Sequence, residues 1–147
     1  MAERMVAASD HAGLTLRAEG IKAARARGVE VEDLGPFTAD SVDYPDLAAR
    51  LGEALAAGRA RFGLLVCGTG IGMSIAANKV KGVRAAHCTT EYEARMARAH
   101  NDANVLCLGE RVTGAGLAAA IVEAFLATPF EGGRHARRVE KLKALDR

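Results

Sequence analysis

Residues 62 to 80 read FGLLVCGTGIGMSIAANKV. The first six, Phe62 to Cys67, run without a polar break, the pattern of a strand covered by helices on both faces of its sheet. Three glycines at alternate positions follow, Gly68, Gly70 and Gly72, and MSIAANKV (73–80) then has the composition of a helix. A strand, a tight turn and a helix in direct succession form the repeating unit of a parallel sheet, whose strands need a crossover between them.

The same alternation extends in both directions. RMVAAS (4–9) is a short apolar run, and the segment after it places Leu14, Ala18, Ile21 and Ala24 or Arg25 at helical spacing, closed by Gly28. VEVEDLG (29–35) alternates as an edge strand does, and PFTADSVDYP is a loop with two prolines. After Pro45, well placed in a first helical turn, Leu47, Leu51 and Leu55 share a face that ends at Gly58. GVRAAHC (82–88) and ANVLCLG (103–109) are strands, and between them TTEYEARMARAH carries the capping pair Thr90 and Glu93. A helix over 114–127 and a basic C-terminal helix over 134–146 complete the chain. The expectation is an α/β protein: a three-layer α/β/α sandwich on a five-stranded parallel sheet, Rossmann-like, with residues 1–147 as one domain.

Half of the 147 residues are hydrophobic, and 20 Lys and Arg against 18 Asp and Glu leave a formal charge of +2. With the two signs interspersed, no global field points to nucleic acid or membrane, so any basic site is local. The apolar stretch Ala115–Ala127, broken by Gly116 and Glu123, is too short to cross a bilayer. Cys67, Cys88 and Cys107 are odd in number, sit in apolar or glycine-rich surroundings and follow no secretory leader, which argues for a reducing, cytoplasmic setting.

A turn between a parallel strand and a helix offers backbone N–H groups at the positive end of a helix dipole, so it suits an anion or a developing oxyanion. GxGxG is not a nucleotide fingerprint: the dinucleotide pattern requires glycine where Met73 stands, and no Gly-Lys-Ser/Thr follows. The turn alone also fits simple packing. Cys67 sits beside those amides, where a thiolate is favoured and could act as base or nucleophile; the alternative is a small apolar core residue. Cys88 and Cys107 have no such turn and read as structural.

Ligands of open parallel sheets sit outside the carboxyl ends of the strands, where Asp10 and His11 follow the first strand as Cys67 and Thr69 follow the third. Asp10 also fits an N-cap. His11, in the first helical turn, is poorly placed for the dipole as a cation, which points to a neutral or anion-paired ring. His100 and Asn101 precede the fifth strand and so fall at the opposite edge. They either tie a helix end to a strand start or act across a twofold axis on a neighbouring subunit. Arg134 and Arg138, one turn apart on the last helix, form a fork for phosphate oxygens, with Arg111 a possible third member; the alternative is a solvated basic helix held down by Val139, Leu142 and Leu145. With two tyrosines and four phenylalanines to stack on bases, a small phosphorylated ligand fits better than a polymer.

Taken in order, SDHAG, DYPD, CGTGIGMSIAANK, RAAHC, HNDANVLCLGER and FEGGRHARR closely resemble the type B ribose-5-phosphate isomerase family, over about residues 4 to 140. The resemblance implies a metal-free, cofactor-free aldose-ketose isomerase of a small sugar phosphate. It also implies strand order 2-1-3-5-4 and a homodimer or dimer of dimers with sites shared between subunits, without nucleic-acid or membrane partners. By carry-over, Asp10 and His100 assist opening of the furanose ring, Cys67 moves the proton between C1 and C2, and Thr69 relays to the sugar oxygens. Gly68, Thr69, Gly70, Ile71 and Gly72 then hold the enediolate, Asn101 joins the substrate contacts, and His11, Arg111, Arg134 and Arg138 receive the phosphate. Members without this cysteine use a glutamate six residues later; that position is Met73 here. Allose 6-phosphate, galactose 6-phosphate or a four-carbon ketose phosphate stay open as substrates. A non-catalytic sugar-phosphate binder is the rival of a different class; a thiol redox role lacks a CxxC pair.

Overall fold

The computed structural model describes residues 3–147. Eleven elements follow one another: β1 (Arg4–Ser9), α1 (Leu14–Ala26), β2 (Glu30–Asp33), α2 (Tyr44–Ala56), β3 (Phe62–Cys67), α3 (Ile71–Ala77), β4 (Ala85–His87), α4 (Glu91–Asn101), β5 (Val105–Gly109), α5 (Ala115–Ala127) and α6 (Arg134–Lys143). The strands form one parallel sheet in the order β2-β1-β3-β5-β4, the order that the resemblance implies.

Successive strand side chains point to opposite faces, and both faces are apolar, so the sheet is covered twice. On one side Met5, Ala7, Leu64, Val66, Leu106 and Leu108 meet Leu16, Ile21, Ile121 and Phe125 from α1 and α5. On the other, Val6, Ala8, Leu65, Cys67, Val105 and Cys107 meet Leu47 and Leu51 from α2 and Met73 from α3. Cys67 is thus on the α2–α3 face, two residues beyond Leu65. No helix of the described chain is long and apolar enough to cross a membrane.

Several local expectations are corrected. The buried stripe of α1 is Leu16, Gly20, Ile21 and Ala24 together with Arg17, while Ala18 faces solvent. Arg17 displaces the expected stripe because its charge is satisfied inside: Nη1 donates to Ser9 Oγ at 2.6 Å, Nη2 to the Pro36 carbonyl at 2.6 Å, and Nε lies 3.2 Å from Asp33 Oδ1. The helix α3 starts at Ile71, two residues earlier than the sequence suggests, and ends at Ala77, because the Asn78 side chain pairs instead with the backbone of Ala85. The last helix stops at Lys143; Val139 is buried, but Leu142 and Leu145 are 45% and 72% exposed and do not hold it down.

The carboxyl end of α4 is braced from inside. Arg98, 1% exposed, lies against the rings of Phe62 and Phe125, which themselves meet edge to face, and donates to Asp102 Oδ1 at 2.8 Å and the Ala103 carbonyl at 2.7 Å. Asp102 closes the helix in a left-handed conformation (φ 47°), a geometry its short side chain tolerates, and its carbonyl also accepts from Arg84 Nε at 2.9 Å.

Candidate active site

All strands being parallel, every strand's carboxyl end lies at one edge, and there the turn of residues 68–72 is built. Gly70 caps α3 with φ 83°, a conformation that side chains rarely adopt, and a Cβ there would fall 2.7 Å from the His87 ring. Beneath it, a Cβ on Gly109 would lie 2.4 Å from the Thr69 backbone, so the turn rests directly on the end of β5. Gly109→Ala is expected to push the turn off its seat, lowering kcat about 100-fold, the order for an ångström-scale misplacement, while circular dichroism reports an unchanged fold. Unchanged kcat in this variant would mean that the position of the turn does not matter.

Cys67 is 5% exposed, and its Sγ accepts the Gly70 N–H at 3.2 Å. The thiol therefore belongs to the aliphatic face it shares with Leu65 and Met73 and also touches the glycine turn. Thr69 is exposed, with Oγ1 accepting from the Ile71 amide at 3.2 Å. Asp10, 8% exposed, extends from β1 next door: its N–H bonds to the Val66 carbonyl, and Oδ1 accepts the Ala12 N–H at 2.9 Å. This local turn replaces the expected N-cap. The first turn of α1 is served from the other end of the chain, by Glu110 Oε1 accepting the Leu16 N–H at 2.8 Å.

His11 lies in the turn ahead of α1 rather than in its first turn. Its Nδ1 accepts the Val42 N–H at 3.2 Å, which in a neutral ring puts the proton on Nε2, a donor left for an anion. Arg111 belongs to this edge, not to the arginines of the last helix: its N–H bonds to the Gly68 carbonyl at 3.0 Å and its guanidinium reaches over Gly68. Two residues not singled out individually also border the turn. The Tyr44 ring lies against Gly72, and His87 lies against Gly70 with its Nε2 buried and unpaired among the described residues. Each stands where an element meets the carboxyl edge, Tyr44 beginning α2 and His87 ending β4, which is the signal that finds them.

The remaining candidates are elsewhere. Val105 begins β5 opposite Gly63, and Cys67 is paired with Gly109. His100 and Asn101, before β5, are thus separated from the turn by the strand's length, about 13 Å or more at 3.3 Å per residue. Here α6 packs on α4, the His135 ring stacks on His100 at a centroid distance of 4.2 Å, and Arg134 and Arg138 are exposed beside it. One chain therefore carries two groups of candidate residues, one at each edge of its sheet.

The other two thiols are unsuited to proton transfer. Burial pushes the Cys88 thiol up to about 12, with the nearby Glu93 carboxylate adding to the effect. Cys107 is also raised, by burial first and then by the neighbouring Cys67 and Cys88.

Known proteins share the sequence pattern and the fold of this chain. The model of the ribose/galactose isomerase family matches residues 5–142. The chain is 47% identical to ribose-5-phosphate isomerase B of Escherichia coli over 137 residues, 93% of this chain and 92% of that protein. Among solved structures, type B ribose 5-phosphate isomerase of Trypanosoma brucei superposes with a TM-score of 0.96 at 47% identity, covering 99% of this chain and 100% of that one. Ribose-5-phosphate isomerase B of Clostridium thermocellum gives 0.93 at 50% identity, covering 97% and 96%. An all-parallel sheet of matching order and a family match over nearly the whole length make this chain an enzyme of the ribose/galactose isomerase family.

Proposed function

We propose that this protein interconverts ribose 5-phosphate and ribulose 5-phosphate without a metal, with Cys67 as the base. The observation that carries the reading is the contact of Cys67 Sγ with the Gly70 amide at the sheet edge where Asp10 and Thr69 also stand. Asp10 and the partner's His100 open the furanose ring, one taking the proton of the C1 hydroxyl and the other protonating the ring oxygen. The Cys67 thiolate then removes the proton from C2, and the electron pair moves through the enediolate to O1. Amides of the turn stabilise that charge, as preorganised donors in a dry site do. The same sulfur returns the proton to C1, and Thr69 passes the O2 proton to O1, leaving the carbonyl at C2. His11, Arg111, Arg134 and Arg138 hold the phosphate.

This reading requires two subunits, since His100, Asn101, Arg134 and Arg138 lie at the far edge of their own sheet. Ile71 and Ile75, one turn apart on α3 and 51% and 58% exposed, support a twofold contact beside the site. The names of the relatives favour the pentose pair. Turnover on sugar phosphates of four to six carbons tests it: kcat/KM for ribose 5-phosphate is expected to exceed that for every other sugar outside the pentose pair by at least about tenfold, a 1.4 kcal/mol preference in transition-state binding. A faster six-carbon or four-carbon substrate would overturn the assignment.

A further inference from the structure

The residues between α5 and α6 fold back on the end of α4. Gly132 and Gly133 both have positive φ, 69° and 54°, and turn the chain so that the Glu131 N–H bonds to the Ala99 carbonyl at 3.0 Å, one residue before His100. The His135 N–H closes the turn on the Gly132 carbonyl at 3.0 Å. His135 is held at 6% exposure with its ring 11° from parallel to that of His100.

His100, Glu131 and His135 each bring one donor atom within 4.8 Å of the others, which raises the question of a metal ion. The geometry answers against it. Ring lone pairs lie in the ring planes, so two nearly parallel, stacked imidazoles aim within separate parallel planes and do not converge on one ion, whose tetrahedral ligands stand about 3.3 Å apart at 2.0–2.1 Å from the metal. Arg134 and Arg138 beside the rings repel a cation further. A flat face-to-face contact suits orientation instead.

We propose that His135 is the positioning residue for His100, fixing its ring plane so that its donor atom meets the substrate of the neighbouring subunit at one angle. The inference rests on the shared-site reading above. A histidine's terminal torsion is broad and roughly two-fold, so a half-exposed imidazole turns freely unless something lies against its face. Proton transfer needs the in-plane atom aligned with the sugar oxygen, and loss of that alignment costs rate without weakening phosphate binding.

The pair works only while His135 is uncharged. Loss of hydration lowers its pKa below the usual 6.5, and His100, Arg134 and Arg138 push the same way against an opposing pull from Glu131, whose Oε1 lies 3.6 Å from Nε2. These groups, from α4, the preceding loop and α6, are the charges that face it. These influences favour the neutral ring, and acidification, by placing a cation against His100 and the two arginines, loosens the stack.

The test compares His135→Phe, which keeps a flat ring, with His135→Ala, which does not, in the full-length enzyme. Alanine is expected to lower kcat for ribose 5-phosphate at least tenfold with KM within twofold; phenylalanine stays within threefold of wild type and loses the His135 contribution to the acid limb of the pH profile. In the absence of substrate, histidine side-chain NMR should show a single, dispersed His100 signal in wild type and His135→Phe that moves toward the exposed-histidine position in His135→Ala. That measurement does not depend on the isomerase reading, so a failed mechanism and a failed stack are told apart. If His135→Ala does not fold, the phenylalanine variant's kcat, pH profile and spectrum decide alone. Full activity in the alanine variant, equal losses in both, an unmoved His100 signal, or visible Co2+ absorption bands in wild type that vanish in His135→Phe would each overturn the proposal.

Discussion

Cys67→Ala is expected to lower isomerisation by roughly four orders of magnitude, the upper end of what a single acid–base group supplies. The reason is positional. Cys88 and Cys107, the other two thiols, are buried with raised pKa values, and Met73, six residues beyond Cys67, carries no group that takes a proton. Calorimetric binding of ribose 5-phosphate to the variant should stay within about threefold of wild type, since the phosphate contacts proposed for His11, Arg111, Arg134 and Arg138 do not involve the sulfur. Cys67→Ser, which keeps the shape of the side chain, should be nearly as slow, because a hydroxyl ionises far less readily than a thiol. Turnover above about one hundredth of wild type in the alanine variant, well over what loss of an acid–base group leaves, would place the base elsewhere. Loss of binding along with turnover would instead mark the sulfur as a packing residue for the turn.

The second large effect is a recovery. If Cys67 of one subunit works with His100 of the other, then homodimers of Cys67→Ala and of His100→Ala are both impaired, the second by about 100-fold. Yet a mixed dimer has one site with both residues native. When subunits are exchanged in equal amounts, half of the dimers are mixed and half of their sites are whole, so activity should return to about a quarter of wild type. Co-expression with two affinity tags isolates the mixed species. Activity no higher than the mean of the two parents, or a His100→Ala homodimer as fast as wild type, would remove His100 from the shared site. The 13 Å or so of strand between His100 and Cys67 within one chain is the feature that makes this experiment decisive.

How far the sequence is legible follows from the range of each interaction. β3 is read residue for residue, because six apolar side chains and a glycine turn leave no competing pattern, and the sheet follows from repetition of that unit. Cys67, Asp10 and Thr69 are then placed together by one rule of parallel sheets. What fails depends on residues far apart in the chain. The stripe of α1 is misread because Arg17 is buried by partners on β1, β2 and the following loop, and the cap of α1 comes from Glu110, 94 positions beyond Leu16. The stack of His135 on His100 joins two helices whose separate patterns carry no trace of it. The alternative in which Leu142 and Leu145 pack down fails because helical periodicity shows an apolar face but not whether another element is there to cover it.

The guanidinium of Arg98, packed against two aromatic rings and bonded to Asp102, braces the helix end that carries His100. These contacts are all made within one chain, so docking of a second subunit here, if it occurs, need not order this segment. If the proposed site is divided between two chains, it forms by docking of surfaces already shaped within each.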